Sequence, residues 1–146
     1  MSFATVMMPL FVEVLLTFAL LFWAGVRRSG DLRAGTVKPE EIGLRELNWP
    51  QRTAQVSNAY SNQTELPTLF YVLTILAYFT HHAGTVFVVL AWIFVAFRLL
   101  HACVHVTSNI PNLRGMLFGF GSVVLAIMWA IFMIEVLVTD GWFLPL

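Results

Sequence analysis

The stretch that most constrains this chain runs from Asn48 to Tyr78, NWPQRTAQVSNAYSNQTELPTLFYVLTILAY. Its first half is polar and its second half apolar. Read as a helix, Arg52, Gln55, Asn58, Asn62 and Glu65 recur at steps of three or four and share one face. Pro67 follows at the entry to the apolar run. Polar groups leading into a helix of membrane-grade hydrophobicity need a partner or a ligand, because ionisable side chains are expensive in hydrocarbon.

Composition places the whole chain in the same setting. Of 146 residues, 59% are hydrophobic and 11% charged, and the mean hydropathy is +0.81. A soluble domain of this length needs far less apolar residue content. At about 20 residues per crossing, the length allows one domain, residues 1–146, built as an all-α bundle of four transmembrane helices. The formal net charge of +0 implies no nucleic-acid partner. Cys103 is the single cysteine, so no internal disulfide forms. The N-terminal MSFATVMMPLFVEVLL has no Lys or Arg before its apolar run and no small-residue cleavage site, so it reads as a mature first span.

The expected spans cover about residues 3–26, 52–80, 85–107 and 115–138, with a polar loop at 27–50. Trp23 followed by Arg27 and Arg28 marks the end of the first span. Gly30, Gly35, Pro39 and Gly43 argue against a long helix in the loop. Pro67 removes a backbone donor and crowds the carbonyl of Gln63, which predicts a kink in the second span. The turn His81-His82-Ala83-Gly84 carries no Lys or Arg. Gly119, Gly121 and Ser122 offer close helix approach in the last span. Asp140-Gly141 ends that span, and Trp142-Phe143 anchors the tail at the interface. Cys103 reads as core.

Six of the eight basic residues, Arg27, Arg28, Arg33, Lys38, Arg45 and Arg52, lie in or beside the first loop. Arg114 lies in the second loop on the same side. The positive-inside rule makes that side cytoplasmic and puts both termini on the other.

Charged residues fall inside every expected span: Glu13 in the first, Arg52 and Glu65 in the second, Arg98 in the third and Glu135, with no assigned partner, in the fourth. Glu13 is the only charge in the first, and by default such a group faces protein or water; the simplest reading is an acid at a helix–helix contact. Arg98 lies in the third, with His101 and His105 on its face at i, i+3 and i+7. At about 1.5 Å rise per residue, Glu65 and Arg98 lie about 28 and 21 Å from the turn at Gly84. This depth arithmetic predicts an Arg98–Glu65 pair, with Asn62 and Asn58 opposite His101 and His105. Arg114 caps the same region from the mouth of the last span. The guanidinium groups suit a carboxylate, and Asn58, Asn62 and Gln55 suit peptide-like groups. The implied ligand is small, zwitterionic and carboxylate-bearing, with apolar walls open to a lipophilic second substrate. The same pattern also fits plain interhelical contacts, at about 0.6 kcal/mol each. His101 and His105 at i, i+4 lack a third ligand type beside them, so no metal is assigned.

The run RTAQVSNAYSNQTELPTLFY from Arg52, then RLLHACVHVTSN from Arg98 and a basic residue opening the last span, resembles the MAPEG family, the membrane-associated proteins in eicosanoid and glutathione metabolism. The likeness covers nearly the whole chain and is nearer to uncharacterised bacterial members. It implies a homotrimer in the bacterial inner membrane, with glutathione as cosubstrate bound between helices near the cytoplasmic face. Carried over by position, Asn62, Glu65, Arg98 and Arg114 match the family's glutathione site, with Asn58, His101, His105 and Arg52 beside them. The sequence departs at Asn58, where the family has an Arg, and at His105, where it has a Tyr. Arg114 is the residue expected to stabilise a glutathione thiolate. The resemblance leaves two kinds of protein open. One is a glutathione-dependent transferase or peroxidase acting on lipophilic electrophiles; the other is a non-catalytic lipid-binding or structural membrane protein.

Overall fold

A computed structural model describes residues 1–42 and 48–139. All regular structure among them is helical. The order is α1 (Phe3–Arg33), a 3-10 turn (Pro39–Glu41), α2 (Gln51–Ser61), a second 3-10 turn (Asn62–Thr64), α3 (Leu66–Phe79), α4 (Thr85–Val106) and α5 (Pro111–Thr139). Three helices, α1, α4 and α5, are long and apolar enough to cross a membrane. With α2 and α3 supplying the remaining crossing, the elements build a four-span bundle. Gly43, Arg45, Glu46 and the Asp140-Gly141-Trp142-Phe143 tail lie outside the described residues.

The apolar core sits where α3, α4 and α5 meet the N-terminal half of α1. Phe70, Leu73, Phe94, Leu125 and Met128 are buried there together with Val6 and Met7. The Phe70 and Phe94 rings lie 4.7 Å apart. Outward, large side chains such as Phe18, Phe22, Phe79 and Ile134 remain exposed. That distribution suits lipid, where apolar exposure carries no cost. Thr17, Thr74 and Ser122 satisfy their hydroxyls on carbonyls one turn back, those of Glu13, Phe70 and Phe118.

The first helix does not stop at Arg27. It continues through Gly30 to Arg33 and ends in a Schellman motif. Gly35 takes φ +68°, Gly35 N–H donates to the Leu32 carbonyl, and Thr36 N–H to that of Asp31. The extra turns persist because α2 fixes them. Arg28 Nε donates to Ser57 Oγ at 3.0 Å, Thr53 Oγ1 donates to Asp31 Oδ2, and the Arg28 guanidinium lies 5.3 Å from the Trp49 ring. Tertiary contacts therefore outweigh the low helix propensity of Gly30.

The second crossing is broken rather than kinked. α2 ends at Ser61, the 3-10 turn follows, and Glu65 takes φ −94°, ψ −97° before α3 begins at Leu66. Pro67 then falls in the first turn of α3, where a missing N–H costs nothing. Breaking the helix just ahead of the proline avoids the clash that a continuous helix would force onto the Gln63 carbonyl. With 14 residues, α3 spans about 21 Å, less than the ~30 Å hydrocarbon thickness. The turn and the end of α2 complete the crossing.

Two other expectations need adjusting. Cys103 is exposed on α4 rather than buried, because the α4 face that packs inward carries Ala102 and His105 instead. Of the last-span small residues, Gly121 is the one in close packing: a Cβ there would lie 3.6 Å from Phe97 Cβ, whereas one at Gly119 meets nothing within 4 Å. A methyl fits at Gly121 and a larger side chain does not. Gly121→Ala should leave thermal stability unchanged in detergent. Gly121→Leu should force α4 and α5 apart at a cost of about 1–3 kcal/mol, read as a lower Tm.

Candidate functional site

The polar stripe of α2 and the facing ends of α4 and α5 enclose a cavity of about 240 Å³ lined by Asn58, Ser61, Asn62, His105 and Arg114. Asn58 lies one helical turn before Ser61 and Asn62, and the three border the cavity together. Ligand pockets commonly enclose about 300–1,000 Å³, so one chain supplies only part of the wall a peptide-sized molecule needs.

Arg114, in the first turn of α5, is held by its Nη1. That atom donates to Asn109 Oδ1 at 2.6 Å and lies 3.2 Å from His105 Nε2. Asn109 occupies the left-handed region at φ +49°, which asparagine tolerates. Its N–H reaches back 2.7 Å to the Val104 carbonyl at the end of α4. The turn between α4 and α5 thus fixes both the Asn109 side chain and the guanidinium it receives.

The hydrogen-bond roles around His105 follow from Arg114. A guanidinium only donates, so His105 Nε2 accepts and carries no proton. The ring is then the neutral tautomer with its proton on Nδ1. The Asn62 amide nitrogen Nδ2 is placed 3.3 Å from Nδ1. Two donors cannot bond, so the amide is turned about its axis to present Oδ1 to the ring, and its NH2 group donates elsewhere. The result is a directed chain: Arg114 donates to His105, and His105 donates to Asn62.

The remaining expected residues surround this cavity without lining it. Arg52 Nη1 donates to the Val106 carbonyl at 2.5 Å, and Gln55 Nε2 to the carbonyls of His105 at 2.6 Å and Thr107 at 3.2 Å. Both therefore cap the end of α4, whose last carbonyls have no partner within the helix. Arg52 also lies 5.9 Å from the Trp23 ring. His101 is buried and packs against His105 and Phe118, with centroids 5.7 and 5.8 Å away. Among the described residues no group of three metal-ligating side chains forms.

Arg98 lies behind the cavity wall. It is 1% exposed, and its Nε faces Glu13 Oε1 at 3.4 Å, with Glu13 0% exposed. The partner expected from depth arithmetic, Glu65, is instead exposed on the connection into α3. Arg98 Nη2 donates to the Asn62 carbonyl at 2.8 Å and to Gln63 Oε1 at 2.6 Å. The Glu13 contact is a charge contact and not a well-formed hydrogen bond. Among the described residues, both Glu13 carboxylate oxygens, Arg98 Nε and Nη1, and Gln63 Nε2 have no hydrogen-bond partner. Sequence reading flagged Glu13 as an intramembrane acid but gave it no partner. It passed over Gln63, Ser61 and the Asn109–Arg114 bond.

Asn109 joins two effects that substitution can separate. Asn109→Gly should keep the left-handed turn while releasing Arg114, with little change in Tm. Asn109→Ala should lose the bond and also strain the turn, costing about 1–2 kcal/mol in thermal unfolding of the purified protein.

No curated protein and no solved structure matched the chain. The model of the MAPEG family matches residues 6–134, which reach from the first crossing into the last and include every residue that lines the cavity. This chain belongs to the MAPEG family.

Proposed function

We propose that this protein is an integral membrane, glutathione-dependent transferase or peroxidase-like enzyme acting on lipophilic electrophiles. The observation that carries the reading is the Arg114–His105–Asn62 chain at the wall of a polar cavity in a MAPEG chain. Glutathione is the cosubstrate, held near the cytoplasmic face. The single-chain cavity is small, which favours completion of the wall by a neighbouring subunit, as in a homotrimer. A bacterial inner membrane is the setting implied by the resemblance.

Each residue has a stated task in this reading. Asn62 and Asn58 bind peptide-like groups of glutathione. Arg114 sits beside the thiol and lowers its pKa, because a fixed cation favours the thiolate. His105 accepts from Arg114 without competing for its charge, since the ring is neutral. The thiolate attacks the electrophilic carbon of a substrate that enters from the bilayer. A sulfur–carbon bond forms as the leaving group departs with its electron pair, or as an activated double bond takes the pair and then a proton.

A second reading, a non-catalytic lipid-binding protein of the same fold, draws on the departures at Asn58 and His105. Calorimetry of glutathione binding to the purified oligomer decides between the two. Saturable binding with an ultraviolet thiolate signal supports the enzyme. Arg114→Ala should abolish that signal and reduce turnover on a model electrophile on the order of 10²–10³-fold, with the fold retained. Folded wild-type protein that binds no glutathione overturns the proposal and leaves the lipid-binding reading.

A further inference from the structure

We propose that Glu13 is a positioning residue for the cavity, acting on it from inside the bundle through Arg98 and the Asn62 carbonyl. Glu13 lies on α1, about three turns from the start of that helix, and it does not line the cavity. Its connection to the cavity is nevertheless continuous. Glu13 Oε1 faces Arg98 Nε at 3.4 Å. Nη2 of the same guanidinium donates to the Asn62 carbonyl at 2.8 Å and to Gln63 Oε1 at 2.6 Å. Asn62 then meets His105 Nδ1 at 3.3 Å, and His105 Nε2 lies 3.2 Å from Arg114.

The geometry makes the Asn62 backbone the critical link. Asn62 opens the 3-10 turn between α2 and α3, where the carbonyls have left the α-helical ladder and need outside donors. Arg98 is such a donor. The guanidinium keeps Nη2 aimed at that turn while its charge is balanced in place, and the Glu13 carboxylate 3.4 Å from Nε supplies that balance. Without the carboxylate, Arg98 keeps an unbalanced buried charge and is drawn toward other acceptors. The Asn62 carbonyl then loses its donor, and the side chain that grips His105 moves with its backbone.

This inference concerns the geometry of the cavity and does not depend on which carboxylate-bearing molecule occupies it. A purely structural Glu13 would lower stability without altering the His105 ring, so the ring is the readout. The full-length oligomer, reconstituted in lipid bilayers with 15N-labelled histidine, is examined by solid-state NMR. Of its four histidines, His105 is assigned by the signal lost in H105Q. Wild type should give two separated His105 resonances, a protonated Nδ1 and a bare Nε2. E13Q should shift the Nδ1 resonance as its Asn62 acceptor moves away while Arg114 keeps Nε2 bare, and E13D should do so to a lesser extent. In an R98Q background E13Q should add no further change.

Folded E13Q with wild-type His105 resonances overturns the proposal, whatever its Tm. So does an E13Q shift that persists undiminished in R98Q. Where E13Q fails to fold, E13D with wild-type resonances has the same meaning. A glutathione titration of the same wild-type sample stands apart: absence of binding ends the enzymatic reading, while the ring signals still test the role of Glu13.

Discussion

A guanidinium buried in a membrane-spanning helix dictates much of this architecture. On insertion scales, Arg at the centre of a span costs about 2.5–3.5 kcal/mol. Arg98 meets that cost with a carboxylate from α1 and with two oxygens from the junction between α2 and α3. One side chain therefore ties together three separate pieces of the bundle. The dependence runs both ways. A broken helix inside hydrocarbon leaves carbonyls that water cannot reach, and the Asn62 carbonyl is served by Arg98. The break requires the charge, and the charge is made tolerable by the break and by Glu13.

The break in turn lets the second crossing do two jobs. Below it, α3 carries no charge and packs Phe70, Leu73 and Ala77 into the core. Above it, α2 turns its polar stripe toward the ends of α4 and α5 and its other polar groups toward the extension of α1. Ser57 and Thr53 bind Arg28 and Asp31 on that extension. Arg52 and Gln55 close the end of α4. α2 is thus held on both sides by side-chain hydrogen bonds in addition to the packing of Ala59 and Tyr60 against Leu20 and Val106, and the cavity lies along the part of its surface that remains.

Much of this was legible from the residues. The membrane class followed from composition, and the facing of Asn62 and His105 from helical register combined with depth counted from Gly84. Arg114 at the mouth of the last helix was placed by the same reasoning. The partner of Arg98 was not legible, because depth arithmetic relates only spans joined by a short turn. α1 reaches α4 across the bundle with a long loop and a broken helix between them, so nothing in the spacing brings Glu13 level with Arg98. The length of α1 was misread for a similar reason: Gly30 and Gly35 both signal an end, but only Gly35 meets the left-handed geometry, while contacts with α2 carry the helix through Gly30. Pro67 located the disturbance in the second span to within a turn. It could not say whether the helix bends or breaks, since that depends on whether a donor such as Arg98 waits for the freed carbonyl.

Arg98 and Arg114 show how one residue type is put to opposite uses sixteen positions apart. Arg98 faces a carboxylate at 3.4 Å, so its charge is largely balanced and its remaining role is geometric. Arg114 is bound by neutral groups, the Asn109 amide oxygen and the His105 ring. Among the described residues no carboxylate lies within 4 Å of it. Neutral acceptors orient a guanidinium without cancelling its field, whereas an anionic partner would do both. The cavity therefore keeps an oriented, uncompensated positive charge at its wall. That is the electrostatic condition a site needs if it is to attract a carboxylate and hold a thiol as its anion.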